Sequence, residues 1–109
     1  MPENYVRNST SVAYEASRVV SAGPAACYGL TGYNSLASTQ FIQIHDAASL
    51  PADTAVPAVI LAVGASSPFS IDFGVYGRYF KNGIVVTNST TGPTKTIGAA
   101  NCWFDVQYD

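Results

Sequence analysis

Charge is what this chain has least of. Of its 109 residues, 11% are Asp, Glu, Lys or Arg, while 48% are hydrophobic. An ordinary globular domain is about 25% charged. The surface therefore has to be covered by Ser, Thr, Asn, Gly, Ala and Tyr. Such a surface suits lasting contact with other subunits, because charge is depleted at the centres of interfaces. It suits an abundant free monomer less well, since that depends on charge for solubility. Cations are scarcest of all. Arg7, Arg18, Arg78, Lys81 and Lys95 are the whole set, and the net charge is −2. That is too few to track a phosphate backbone, so no nucleic-acid partner is expected.

Other absences narrow the field further. No stretch approaches the roughly 20 apolar residues of a membrane span, so no membrane partner is expected. The opening "MPENYVRNSTSVAYEAS" has neither the basic head nor the apolar run of a secretory signal, which points to assembly in a cytosol. Cys27 and Cys102 fit neither a zinc pattern nor a redox CxxC. Both lie in strand-like runs and are expected as buried free thiols, with a disulfide between the runs left open. No Dx[DN]x[DN]G calcium loop is present. No two acids have the spacing of a known carboxylate device. Asp53, in "LPADTAVP", is expected to hold a turn by bonding nearby backbone amides. No metal or cofactor is expected.

What is present is β-pattern. "SRVVSA" (17–22) reads as a short strand, and "AACYGLTGYNS" gives a second strand, ending near Leu30 and bent by its glycines. In "TQFIQIHDA", Ile42 and Ile44 point one way, and Phe41, Gln43 and His45 the other. "AVILAV" (58–63) is a continuous apolar run, expected as a strand buried on both faces. "FSIDFG" puts Phe69, Ile71 and Phe73 inward. "CWFDVQYD" puts Cys102, Phe104, Val106 and Tyr108 on one face, with Trp103, Asp105 and Gln107 on the other. The sum is an all-β protein: an antiparallel β-sandwich of about seven or eight short strands. Residues 1–17 read as a polar N-terminal arm that a neighbour orders, and 18–109 as one sandwich domain.

One stretch invites a chemical reading. "FGVYGRYFKNGIVVTNSTTGPTKTIG" (73–98) holds several glycines with Arg78, Lys81 and Lys95. Gly74, Gly77 and Gly83 fit neither GxGxxG nor GxxxxGK[ST], and no helix follows to face a phosphate. The better reading is a turn at "DFGVYGRYF", and then Asn82-Gly83 as a type I′ hairpin pair or a bulge. Arg78, between Tyr76 and Tyr79, is expected to stack on an aromatic face or to pair with an acid at a subunit boundary. An enzyme reading rests on His45 alone, the only conventional base for a nucleophile. On the polar face of a strand, His45 reads instead as a surface or interface residue.

"SLPADTAVP", "SIDFGVYGRYFKNGIVVTNSTTGPTKTIG" and the ending "CWFDVQYD" together resemble small all-β proteins encoded among the structural genes of tailed bacteriophages. The resemblance runs from about Ala25 to the C-terminus and carries no catalytic signature. It implies a jelly-roll-like virion structural protein, assembled in the host cytoplasm. It covers both trimeric cement or decoration proteins and the heads of fibres, does not choose between them, and assigns no functional residue. The form expected here is a homotrimeric capsid cement or decoration protein, with the major capsid protein of the same particle as partner. Tyr5, Arg7 and Tyr14 in the arm are then candidates for capsid contact, and Tyr76, Arg78, Tyr79 and Trp103 for capsid or subunit contact. The alternative is a fibre- or tail-associated module that contacts a host-surface glycan through Tyr and Trp.

Overall fold

The computed structural model of the chain describes residues 6–109. These form nine strands: β1 (Arg7–Thr10), β2 (Ser17–Ser21), β3 (Ala25–Asn34), β4 (Gln40–His45), β5 (Val59–Val63), β6 (Ser67–Asp72), β7 (Arg78–Phe80), β8 (Ile84–Ser89) and β9 (Cys102–Tyr108). Two antiparallel sheets face each other. The first runs β1-β9-β3-β6, with β7 pairing the start of β3 beyond the end of β6. The second runs β2-β8-β4-β5. The first strand lies beside the last, the second beside the last but one, and β4 beside β5. This is the expected jelly-roll-like sandwich, a long hairpin folded over on itself.

Alternation builds the core. Ile42 and Ile44 of β4, Ile84 and Val86 of β8, and Cys102, Phe104 and Val106 of β9 all turn inward and are buried. Each fully buried side chain of this size stabilises the fold by roughly 1.5–3 kcal/mol. Phe69 of β6 meets Phe104 with ring centroids 6.2 Å apart. Gly32 of β3 makes room for that contact. A Cβ there would lie 2.3 Å from the Phe69 ring and 2.0 Å from the Trp103 carbonyl oxygen. β3 runs on to Asn34, past the expected end near Leu30, because β6 and β9 pair with it up to that residue, and its register against β9 shifts between Cys27 and Gly29.

Both cysteines are buried free thiols, as expected, and burial pushes each up to about 11. The register settles the disulfide. Cys102 lies opposite Asn34 and Cys27 opposite Tyr108, at the two ends of the β3–β9 pair. At about 3.3 Å per residue that is roughly 20 Å, well beyond the ~7 Å a disulfide tolerates.

Three further expectations change. Residues 7–10, read as part of the arm, pair with β9 from Arg7 opposite Tyr108 to Thr10 opposite Asp105, and so belong to the first sheet. β5 is not buried on both faces. It is an edge strand, and Ile60 and Ala62 face outward and are exposed. An apolar run marks a strand but cannot say whether a second layer covers it. Asn82-Gly83 is not a hairpin, because β7 belongs to the first sheet and β8 to the second. The Asp46 carboxylate accepts the Asn82 amide at 2.7 Å as the chain crosses over. Gly83 follows at φ 153°, where a Cβ would come within 2.4 Å of the Ala47 carbonyl oxygen and 2.5 Å of that of Ser21.

Candidate functional site

The candidate residues separate to opposite ends of the first sheet. Tyr76, Arg78 and Tyr79 lie in or beside the β6–β7 loop. Arg7 is close to the same end: across the sheet, Arg7 pairs with Tyr108, Tyr108 with Cys27, and Cys27 with Arg78. Trp103 and Tyr14 are at the other end. Tyr5 lies outside the described residues.

The β6–β7 loop is short and held from both sides. The Asp72 carboxylate accepts the Gly74 amide at 2.7 Å, the Phe73 amide donates to the Tyr28 carbonyl at 2.9 Å, and the Gly77 amide closes on the Gly74 carbonyl at 3.2 Å. Gly74 and Gly77 take φ values of 85° and 70°, which L side chains rarely adopt. Gly77 also packs against β3, where a Cβ would come 2.9 Å from the Cys27 carbonyl oxygen and from the Tyr28 ring. These constraints carry the loop tip into solvent. Val75 is 88% exposed, Tyr76 94% and Tyr79 67%.

Beneath the tip is a cleft of about 580 Å³, lined by Val6, Tyr28, Gly74, Val75 and Tyr76. A smaller hollow of about 330 Å³ continues past Val6 and Tyr28 over Gly29, Thr31, Ser70, Ile71, Asp72 and Gln107. Together they make a mostly apolar groove, with Thr31, Ser70, Asp72 and Gln107 among the residues on its sheet side. Arg78 reaches back over the Phe80 ring, 5.6 Å from its centroid. Among the described residues it pairs with no acid. At the far end, Tyr14 meets the half-buried Trp103 edge-on, with centroids 5.6 Å apart and planes at 65°, and Tyr33 lies opposite Trp103 in the register.

The outer face of the second sheet is different, and the sequence reading missed it. His45 is 2% exposed, so it is not a surface residue. Gln43, Thr87 and Ser89 share its face and are buried too. Their cover is the segment 90–98. The Gln43 side-chain amide donates to the carbonyls of Thr91, Gly92 and Thr94 at 3.0, 2.8 and 3.2 Å. Ser89 Oγ accepts the amides of Thr91 and Thr96. Lys95, 3% exposed, donates to the Asp53 carboxylate at 2.6 Å, and the Ile97 amide donates to the same oxygen at 3.1 Å. Asp53 therefore ties two distant loops together rather than closing its own turn.

Electrostatics follow from this packing. His45 Nε2 lies 3.2 Å from Thr87 Oγ1. Burial, and then the charge of Lys95, lower the His45 pKa below its ordinary value. Asp53 is also lowered, first by the Lys95 hydrogen bond and then by the Ile97 amide. The imidazole is thus buried and held against a threonine, not presented on a polar surface. The one sequence signal of this cover was three Thr with Gly92-Pro93, in "TTGPTK", beside a strand with Gln and His on one face.

No family model and no curated protein matches the chain. Among solved structures, the chain is similar to the coat protein of tobacco streak virus, at 14% identity and a TM-score of 0.44, over 98% of this chain and 88% of that one. At that level the similarity carries no argument about function.

Proposed function

We propose that the chain is a virion structural protein, acting as a capsid cement or decoration protein through the 75–79 end of its first sheet. The observation that carries the reading is the exposure of Val75, Tyr76 and Tyr79 on a pinned loop above an apolar cleft. Exposed apolar groups held together in this way mark an interaction site. Tyrosine is among the residues that dominate binding energy when buried in a partner. The low charge of the chain and its resemblance to tailed-phage structural proteins support the virion setting. The jelly-roll-like order serves capsid proteins, lectins and cupins alike, so it does not choose among them.

The mechanism is mechanical. Each copy seats its 75–79 end at a junction between major capsid subunits, so that separating them requires breaking further contacts. Arg78, free of an acid among the described residues, supplies charge pairing at that junction. Assembly takes place in the host cytoplasm. The homotrimer belongs to the same resemblance, and the bridging does not require it.

Rebinding to particles stripped of the protein tests the reading. Wild type restores resistance to heat, and Tyr76→Ser abolishes rebinding while the melting temperature of the isolated protein stays put. Stripped particles as heat-resistant as intact ones would sink the cement role.

One observation favours glycan binding as a second reading. Tyr33 and Trp103 sit side by side on the uncovered face of the first sheet, beside Thr31 and Asp105. Aromatic faces next to hydrogen-bonding groups suit a sugar. Glycan-array binding that is lost on Trp103→Ala would favour it over the first.

A further inference from the structure

The sandwich has two sides where its sheets end, and only one is sealed. On the β1–β2 side, Arg18 pairs with Glu15 at 2.7 Å and donates to Ser9 Oγ at 2.7 Å, while Ser11 Oγ donates to Glu15 at 2.7 Å. That strap ties the sheets together. On the β5–β6 side no such strap exists among the described residues. There Val59, Leu61, Ile71 and Phe73 pack against the core yet stay half-buried.

The strand edges differ in the same sense. Proteins guard edges with charge, proline, bulges or shortness, because an open edge is a template for another strand. β1 is four residues long with Arg7, and β2 has Arg18 and a register irregularity between Val19 and Ser21. β6 carries Pro68 and Asp72, and β7 is three residues with Arg78. β5, "VILAV", has no charge, no proline and no bulge. It pairs with β4 through all five residues, and no strand lies on its other side among the described residues.

We infer that β5 is a self-association edge, on which the β5 of a second copy pairs antiparallel about Leu61. The sequence fits itself in that register. Val59 falls opposite Val63, Ile60 opposite Ala62, and Leu61 opposite its own copy. No charge or polar group is forced against an apolar one. The two four-stranded sheets become one continuous sheet, and the half-buried seam of each copy is covered by the other. The contact is two-fold and isologous, so it closes as a dimer instead of extending into a filament. That differs from the trimer the resemblance implies, and it does not rest on the virion reading.

Solution mass tests it. Ile60 and Ala62 already face solvent in the single chain, so changing them spares the core. Wild type is expected at twice the monomer mass. Ile60→Lys with Ala62→Lys puts like charges opposite each other across the dyad and is expected at the monomer mass with an unchanged circular dichroism spectrum. Ile60→Glu with Ala62→Glu behaves likewise, and mixing the two variants restores the doubled mass. In wild type, hydrogen-exchange protection of those Val59–Val63 amides that face away from β4 rises with protein concentration, a readout that needs no variant. Wild type at the monomer mass throughout overturns the inference, as does a tripled mass or a lysine variant that stays dimeric. Particle rebinding is scored separately, so either idea can fail alone.

Discussion

The outer faces of the two sheets are built from similar residues and end in opposite states. On the first sheet, Thr31, Ser70 and Asp72 stand in solvent. On the second, Gln43, His45, Thr87 and Ser89 are buried. Their strands alternate in the same way, so the difference does not lie in the strands. It lies in the segment 90–98 and the loop around Asp53, which fold back onto one sheet and leave the other bare. A polar strand face is thus either a solvated surface or a bed for the chain's own loop. On the second sheet Gln43 Nε2 and Ser89 Oγ bond the loop's carbonyls and amides, and His45 bonds Thr87. On the first the polar groups remain available to a partner.

The largest effect that should break this contrast comes from Gln43→Leu. Its side-chain amide serves three loop carbonyls at once. Leucine keeps the volume and removes the donor. Leaving buried groups without partners costs about 1–3 kcal/mol each where water cannot replace the bond. We expect a loss of about 2–3 kcal/mol by denaturant unfolding, toward the upper part of that range for a single group because solvent reaches part of the loop. The amides of Thr96 and Gly98, bonded to Ser89 Oγ and the Asn88 carbonyl, should lose hydrogen-exchange protection first. Unchanged protection would mean that the segment is held elsewhere.

Acid should act on the covered face in two steps. His45 has a lowered pKa in the fold, so the unfolded chain takes up the proton first as pH falls below about 6.5. Its contribution is complete above that value and declines as pH falls toward the folded value. Asp53, also lowered, acts later: its contribution is present above the unfolded carboxyl value of about 3.9 and is lost as pH falls through the folded value. His45→Gln should flatten the upper part of the stability–pH curve and leave the lower part intact. An identical curve in the variant would show that the imidazole does not sense the loop.

Most of the sandwich is legible in the chain, because the core obeys a period of two. Ile42 and Ile44, Phe69 and Ile71, and Cys102, Phe104 and Val106 all point where alternation sends them. What alternation cannot report is the second layer. It marks His45 and Gln43 as facing away from the core, and that is true, but their burial depends on a loop almost fifty residues further along. β5 fails in the opposite sense: its apolar run reads as doubly buried, yet it lies at an edge. Asn82-Gly83 has the chemistry of a tight hairpin, but which sheet the next strand joins is a long-range matter. For the candidate site, the turn at 73–77 was legible from Gly74 and Gly77. That Tyr76 stands nearly free in solvent depends on Tyr28 and Asp72 pinning the loop from below.

A smaller effect belongs to the aromatic end of the open face. Tyr14→Ala removes the edge contact with Trp103, worth about 0.5–1.5 kcal/mol beyond area burial. A loss of that order, with sharpened solvent quenching of Trp103 fluorescence, is the expected result. A null change in both would mean that the pair does not persist in solution.

The smallest effect is the one that defines the open face. Thr31 lies at the centre of the first sheet, opposite Ser70 on one side and Asp105 on the other, and is exposed. Its counterpart on the second sheet is Gln43, also central and also outward. Exposed surface changes away from caps and networks stay within about 0.5 kcal/mol. Thr31→Ala should therefore leave the unfolding midpoint almost unmoved, although alanine is the poorer strand former. A cost of the size expected for Gln43→Leu would show that something covers the first sheet as well. In that case the groove beside Val6 and Tyr28 would be occupied in the native protein, and the partner sought for the 75–79 end would already be in place.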